Sequence, residues 1–349
     1  MVKMKKVLVL GAFGYFCNQL DGQTIKTRNV YNLLHERYAG KVWRADTLKL
    51  KKNPLLLLDL LWKLIKCNTL IIIPCLNNLT YIFPVVYYLS KIFGYEIIHI
   101  CIGGWQVEYF KGDERFASHP FQLSLSKKIK AFMPEMEKVD NDLKLEFGFN
   151  NTVVLTNFRE IDISIVNRNN TRTLKLVFLS RINKKKGYPT VFNFAQYVRE
   201  NGLDITITFY GMVESDDKED FMFCVSQFPD IVTYGGLLSQ EIISRTLVNY
   251  DLMLFPTTYY TEGLPGTIID AYIANLPVIA TEWKHAREFI KDGETGFIVR
   301  FDNCQKEFDA RIMELYNNRK KLSVMKCNAK KEALRFTETN GWQVLSKYL

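Results

Sequence analysis

The sequence predicts an α/β protein of two doubly wound halves, each a parallel sheet covered by helices on both faces. Three observations carry that prediction. Strand-length apolar runs alternate with longer segments of helical period along the whole chain. Those runs are continuous rather than alternating, as strands buried on both faces must be. The alternation also occurs twice, on either side of a polar stretch near residues 157–173. A length of 349 residues fits two domains better than one.

In the first half the strand candidates are Val7–Leu10, Val42–Arg44, Leu70–Pro74, Ile97–Ile102 and Val153–Thr156, with helical spacing from Thr24 and from Leu79. In the second half they are Leu176–Ser180, Ile205–Tyr210, Ile231–Tyr234, Leu252–Pro256, Val278–Thr281 and Phe297–Val299. Between the halves, the run Asn-Arg-Asn-Asn-Thr-Arg-Thr ending at Thr173 has nothing to bury and reads as a linker. In doubly wound sheets ligands sit beyond the carboxyl ends of the strands, so the loops that follow strands are where chemistry is sought.

Composition narrows the class. Apolar residues make up 48% and charged residues 24%, which suits globular domains with real cores. The amino-terminal run Val7–Phe16 is broken by Gly11 and Gly14, so it reads as a buried strand and loop, not a signal peptide. Pro54–Pro74 is rich in Leu and Ile, yet Asp59, Lys63, Lys66 and Asn68 interrupt it. It falls short of the roughly 20-residue apolar span a bilayer needs, and reads as an amphipathic helix followed by a buried strand. Seven cysteines, none in a Cys-x-x-Cys pair, read as reduced thiols, and no metal-ligand spacing is present, so no metal site is expected. The net charge of +9 is uneven: residues 1–52 hold 11 Lys or Arg against Asp21, Glu36 and Asp46. Beside the Leu- and Trp-rich helix, that basic face suits an anionic membrane surface or a diphosphate-bearing lipid acceptor; a merely solvated basic face is the alternative. No nucleic-acid module is present.

Two loops carry the chemistry. After the strand ending at Pro256 comes Thr261-Glu-Gly-Leu-Pro-Gly-Thr-Ile-Ile-Asp270. Gly263, Gly266 and Pro265 at a helix start leave backbone amides at a dipole-positive tip, which suits a phosphate or sugar diphosphate. Glu262, just before them, can accept hydrogen bonds from sugar hydroxyls. An ordinary strand–loop–helix turn would use glycines in the same way. The second loop follows Leu176–Ser180: Arg181, then Lys186 and Gly187 leading into a helix. Arg181 offers a planar fork of donors and Lys186 a movable point charge, together able to neutralise a leaving diphosphate. A solvated basic loop describes Lys184 and Lys185 equally well.

Taken in order, Arg181, Lys186-Gly187 and Glu262 with its glycine loop and a carboxylate eight residues on resemble the retaining glycosyltransferases of family 4, which have the GT-B fold. Tyr210-Gly211 looks like that family's strand-end glycine, and Tyr234-Gly-Gly-Leu237 with Glu241 resembles its segment near the nucleotide base. Leu276–Thr281, Glu288-Phe-Ile and Asp292 through Phe297 complete the likeness, which is most specific over residues 174–300. More weakly, Gly11–Gly14 through Asp21-Gly22-Gln23-Thr24 resembles the loop that closes over donor phosphates. Asn157 looks like the interdomain asparagine, and Phe336–Leu349 like the helix that crosses back to the first domain. The resemblance therefore implies two Rossmann-like domains facing each other across a cleft: 1–160 on the acceptor side, 161–335 binding the nucleotide sugar, and 336–349 as the crossover helix.

It also implies an activity. A retaining, metal-independent hexosyl transfer is expected, from a UDP- or GDP-sugar to a saccharide or polyprenyl-diphosphate-linked acceptor, in bacterial capsular or O-antigen polysaccharide assembly. The implied location is cytoplasmic, with peripheral contact at the inner face of the membrane. Arg181, Lys186 and Glu262 are the expected catalytic set. Gly14, Gly22, Gln23, Gly211, Leu237, Gly263, Leu264, Pro265, Gly266, Thr267 and Asp270 are the expected substrate contacts. Two departures stand out. The second carboxylate, usually Glu, is Asp270, one methylene shorter. The stretch where many relatives carry a His reads Ile100-Cys-Ile-Gly-Gly-Trp105, and His99 reads as a buried strand residue. Asp140-Asn-Asp142 imitates a metal-binding pair of the other glycosyltransferase fold but does not end a strand. A non-catalytic sugar-nucleotide-binding subunit and a nucleotide-sugar epimerase of the same fold remain open at this point.

Overall fold

The computed structural model describes residues 5–17, 21–113, 116–160 and 172–349. The polar stretch 161–171 and residues 18–20 of the first glycine loop lie outside the described residues. The chain forms two compact units: Met1–Arg159 with Phe336–Leu349, and Glu160–Arg335.

The first unit contains strands β1 (Lys6–Gly11), β2 (Lys41–Asp46), β3 (Thr69–Ile73), β4 (Glu96–Ile100) and β5 (Ala131–Met133). Its helices are α1 (Gly22–Arg37), α2 (Thr47–Lys52), α3 (Leu56–Lys66), α4 (Phe83–Phe93), α5 (Gln106–Lys111), α6 (Pro120–Ser126) and α7 (Glu137–Phe147). All strands run parallel, in the order β2-β1-β3-β4-β5. Val7, Val9, Ile71, Ile73, Ile98 and Ile100 are buried in its core. The continuous β-branched runs follow from sheet geometry, since both faces of a central parallel strand are covered.

One strand differs from the sequence reading. Val153–Thr156 is not a sheet strand; the fifth strand is Ala131–Met133. The later segment lies alongside it, with Val153 N–H donating to the Phe132 carbonyl (3.2 Å) and Leu155 N–H to that of Pro134 (2.9 Å). Three residues of β5 give too little apolar pattern to be read without the fold.

The second unit contains β6 (Leu174–Leu179), β7 (Ile205–Tyr210), β8 (Val232–Tyr234), β9 (Leu252–Phe255), β10 (Val278–Thr281) and β11 (Gly296–Val299). Its helices are α8 (Tyr188–Glu200), α9 (Lys218–Gln227), α10 (Gln240–Leu247), α11 (Gly266–Ile273), α12 (Ala286–Phe289), α13 (Gln305–Asn317) and α14 (Arg319–Ala333). Its sheet is parallel throughout, in the order β11-β10-β9-β6-β7-β8. A Phe cluster fills the space under α8 and α9, where Phe192 stacks on Phe209 at 5.1 Å and Phe221 meets both rings edge-on.

The last helix, α15 (Glu338–Leu345), returns to the first unit. Thr337 caps it by accepting from the Asn340 amide (3.2 Å), and Leu345 enters the core that holds Val30 and Leu33. Gly341 lies so close to the Phe158 ring that a Cβ would come within 2.7 Å. The helix therefore needs glycine at this approach.

Two buried polar groups of the first unit have opposite characters. His99 is packed between the rings of Phe83 (5.6 Å) and Phe132 (4.4 Å), and burial pulls its imidazole down to about 3. It is a neutral core residue. Lys26 of α1 is also buried, but its Nζ donates to Glu135 Oε1 (2.7 Å) and to the carbonyls of Cys101 (3.0 Å) and Leu155 (3.3 Å). Glu135 in turn accepts from the Gly103 amide at 3.0 Å. One ion pair thus joins α1 to the segments that follow β4 and β5. Removing one partner leaves a buried charge uncompensated, so Lys26→Met should lower stability by about 3–5 kcal/mol, and Lys26→Met/Glu135→Leu should recover much of that loss. Urea-induced unfolding of the two variants checks this; a single variant as stable as wild type would remove the pair from the account.

Candidate active site

In the second unit the first strand of the fold, β6, is central. The chain winds outward from it through β7 to β8, then returns to its other side at β9. Strand order therefore reverses between β6 and β9, and the loops leaving their carboxyl ends diverge there. A doubly wound sheet opens its ligand crevice at this point. The loop after β6 carries Arg181 and Lys186, and the loop after β9 carries Glu262.

The first loop is built by backbone ties. Ser180 N–H bonds to the Tyr210 carbonyl (3.2 Å) and Ile182 N–H to that of Met212 (2.8 Å), so the chain continues beside β7 past the end of β6. Asn183 then caps a short 3-10 turn, Lys184–Lys186, by accepting from the Lys186 amide at 2.9 Å. Gly187 follows with φ 88°, and a Cβ there would lie 1.8 Å from the Pro256 carbonyl oxygen. Only glycine permits both that backbone conformation and that approach. The Lys185 carbonyl accepts from Thr258 N–H (2.8 Å), which ties the lysine turn to the segment leaving β9. A side-chain cluster braces the turn from below. Tyr188 Oη donates to Asp220 (2.6 Å) and Asp217 (3.3 Å), and Asp217 accepts from the Lys184 amide (3.2 Å). The Tyr188 hydroxyl holds the Asp220 carboxyl below the usual carboxylate range.

With the two loops so held, Lys186 Nζ meets Glu262 Oε1 in an ion pair, and both side chains are largely buried, 14% and 12% exposed. The rings of Phe255 and Tyr259 lie 5.9 Å from the ammonium. Two residues 76 apart in the chain are thus brought together across the reversal. Arg181 is not in that pair. Its half-exposed guanidinium reaches Glu214 at 3.3 Å instead.

Beyond Glu262 the chain passes Gly263 and the buried Leu264 to Pro265, which is the N-cap of α11 and has no side-chain group to cap it. Ile268 N–H bonds back to the Pro265 carbonyl (3.0 Å). The amides of Gly266 and Thr267 stand at the positive end of the helix, where an anion is favoured. The Thr267 hydroxyl lies 3.5 Å from Met253 Sδ. Asp270, one turn on, is buried in the helix.

The remaining expected contacts are spread around this centre. Gly211, at the end of β7, has φ 138°, and a Cβ there would lie 1.7 Å from the Ser180 carbonyl oxygen. Its carbonyl accepts from Tyr234 Oη (2.9 Å) and its amide donates to the Gly236 carbonyl (2.9 Å), so it anchors the 234–237 segment. Leu237 is exposed. In the first unit, Gly14 takes φ 59° in the loop after β1. Asp21 caps α1 through the Thr24 amide (2.8 Å). Gly22 opens the helix, and among the described residues the enclosed Gln23 Nε2 has no hydrogen-bond partner. Asp140 and Asp142 make salt bridges with Lys144 and Lys138 along α7, ordinary helix pairs.

Three features escaped the sequence reading: the Lys26–Glu135 pair, the Tyr188 brace and the partner of Arg181. Each joins residues distant in the chain, and no local spacing encodes such contacts. Tyr188, beside the Lys186-Gly187 turn, was the one visible hint.

Residues 160–332 match the family described as glycosyl transferases group 1. The capsular polysaccharide biosynthesis glycosyltransferase CapM of Staphylococcus aureus is 25% identical over 231 residues, covering 64% of this chain and 59% of CapM. The amylovoran biosynthesis glycosyltransferase AmsK of Erwinia amylovora is 26% identical over 138 residues, 38% of this chain and 33% of AmsK. The chain therefore spans between a third and six-tenths of these relatives. Among solved structures, Anabaena HepE in complex with UDP and glucose superposes with a TM-score of 0.73 at 16% identity, covering 99% of both chains. That likeness places the two parallel-sheet α/β units within the GT-B fold. On the strength of the matched residues 160–332, the chain carries a domain of the glycosyl transferases group 1 family.

Proposed function

We propose that this protein transfers a hexose from a UDP- or GDP-sugar, with retention and without a metal ion, to a saccharide or polyprenyl-diphosphate-linked acceptor in polysaccharide assembly. Work at the cytoplasmic face of an anionic membrane belongs to the same proposal. The single observation that carries the reading is the Lys186–Glu262 pair, just ahead of α11 in the chain, at the reversal of the second sheet. That CapM and AmsK are named for polysaccharide biosynthesis, and that HepE is described with UDP and glucose, supports the donor class and the process.

In this reading the donor diphosphate occupies the space above the reversal. As the glycosidic bond breaks, negative charge grows on the leaving phosphate. Lys186 and the amides at Gly266 and Thr267 stabilise that charge, and Arg181 joins them by leaving Glu214. Donors fixed in advance at the point where charge develops are worth a few kcal/mol each. Glu262 holds Lys186 until the donor arrives and then accepts from sugar hydroxyls. The acceptor attacks on the face from which the phosphate departs, and that phosphate helps take up the acceptor proton. Asp270 on α11 is the proposed ribose contact. Gly14, Gly22 and Gln23 would meet the donor phosphates from the loop after β1, with Gly211, Leu237, Gly263, Leu264 and Pro265 completing the donor contacts.

Two measurements test the proposal. Lys186→Ala and Glu262→Gln should each lower kcat/KM for sugar transfer by about 10²–10³ while the far-UV circular dichroism stays that of wild type; wild-type turnover by either variant would reject the assignment. Activity against a panel of nucleotide sugars should persist in excess EDTA, and its complete loss, restored by a divalent cation, would overturn metal independence.

A further inference from the structure

The strongest unexplained surface belongs to α3. Advancing about 100° per residue, its positions separate into three sectors. Leu60 and Leu64 are buried against the unit. Asp59, Lys63 and Lys66 share one polar edge. The outward arc carries Leu55 (74% exposed), Leu58 (69%), Trp62 (52%) and Ile65 (43%), with Leu57 and Leu61 beside them. An apolar arc of this size on a solvent face marks an interaction site.

Charge identifies what covers it. Between residues 47 and 94 there are six lysines, at 49, 51, 52, 63, 66 and 91, against the single carboxylate Asp59. Lys66 borders the arc itself, whereas Lys63 is paired with Asp59 at 2.6 Å, and Arg44 and Lys49 with Asp46 and Asp59 line a cleft of about 340 Å³ that opens beside Leu56. The neighbouring α4 adds Val85, Tyr88 and Ile92, all exposed. A second copy of the chain docking by this face in a two-fold contact would set these lysines against themselves. An anionic lipid surface accepts both components, with the apolar arc entering the acyl boundary and the lysines meeting headgroups. Among the described residues no helix is long and apolar enough to cross a membrane, and α3, at 11 residues, is of a length to lie in the interface.

We infer that the outward face of α3, with its lysine border, is the surface by which this protein docks on an anionic bilayer. The inference rests on the membrane contact proposed above and is independent of the transfer chemistry. It also sets the acceptor side of the proposal in a lipid context: the first unit would sit on the membrane that carries a lipid-linked acceptor.

The test is co-sedimentation of the purified full chain with vesicles of pure phosphatidylcholine and of phosphatidylcholine with 30% phosphatidylglycerol, at low and high salt, alongside its mass in solution by light scattering. Wild type should bind the anionic vesicles at least tenfold more tightly than the neutral ones, and less tightly as salt rises. Leu58→Glu/Trp62→Glu and Lys49→Gln/Lys66→Gln, the latter at two exposed lysines, should each weaken anionic binding at least tenfold, with circular dichroism and solution mass unchanged. Failure of wild type to bind anionic vesicles would overturn the membrane contact itself. Wild-type binding by the α3 variants would place the contact elsewhere and overturn this inference alone. A dimer in wild type that dissociates in Leu58→Glu/Trp62→Glu would assign the face to a second copy and overturn it as well.

Discussion

One electrostatic constraint organises the second unit: Lys186 and Glu262 meet where the order of strands reverses. Each is a charge held largely away from water, where it is favoured beside an opposite charge. The surrounding backbone enforces the meeting. Gly187 lets the lysine turn press on the Pro256 carbonyl, the Lys185 carbonyl holds Thr258, and the Tyr188–Asp217–Asp220 cluster fixes the turn from the other side. A pair made this way is preorganised. Its geometry is set by the fold before any ligand arrives, and it ties Lys186 to the residue that leads into a helix start whose amides favour an anion.

The first unit applies the same device for a different end. Lys26 and Glu135 are more deeply buried than the second unit's pair, each 2% exposed, and their spare hydrogen-bonding capacity is taken up by the backbone at Cys101, Gly103 and Leu155. That degree of satisfaction marks a structural tie that fixes the loops beyond β4 and β5. The Lys186–Glu262 pair keeps some solvent access, and Glu262 leads into the start of a helix. The difference in surroundings is why one pair is read as scaffold and the other as machinery.

Much of the fold was legible in the sequence because parallel strands covered on both faces write themselves as continuous apolar runs. Ile205–Tyr210 and Val278–Thr281 were read with their observed limits, and His99 was read as a core residue for the same reason. Val153–Thr156 was misread because an apolar run of four residues can pair on one side only, as it does against Phe132 and Pro134, while the real edge strand Ala131–Met133 is too short to announce itself. Within the candidate site, the glycines were legible through their spacing at strand ends, and Gly187 and Gly211 do occupy backbone approaches that no other residue could make. The partners of the charges were not legible. Whether Arg181 faces Glu262 or Glu214 is decided by tertiary packing 33 or more residues away, and nothing in the local sequence records it.

The most direct measurement is a crystal structure of the full chain with a bound nucleoside diphosphate. The β-phosphate is expected within hydrogen-bonding distance of Lys186 Nζ and of the amides at Gly266 or Thr267, with the Lys186–Glu262 contact lengthened or broken. A diphosphate bound elsewhere, with that ion pair undisturbed, would contradict it.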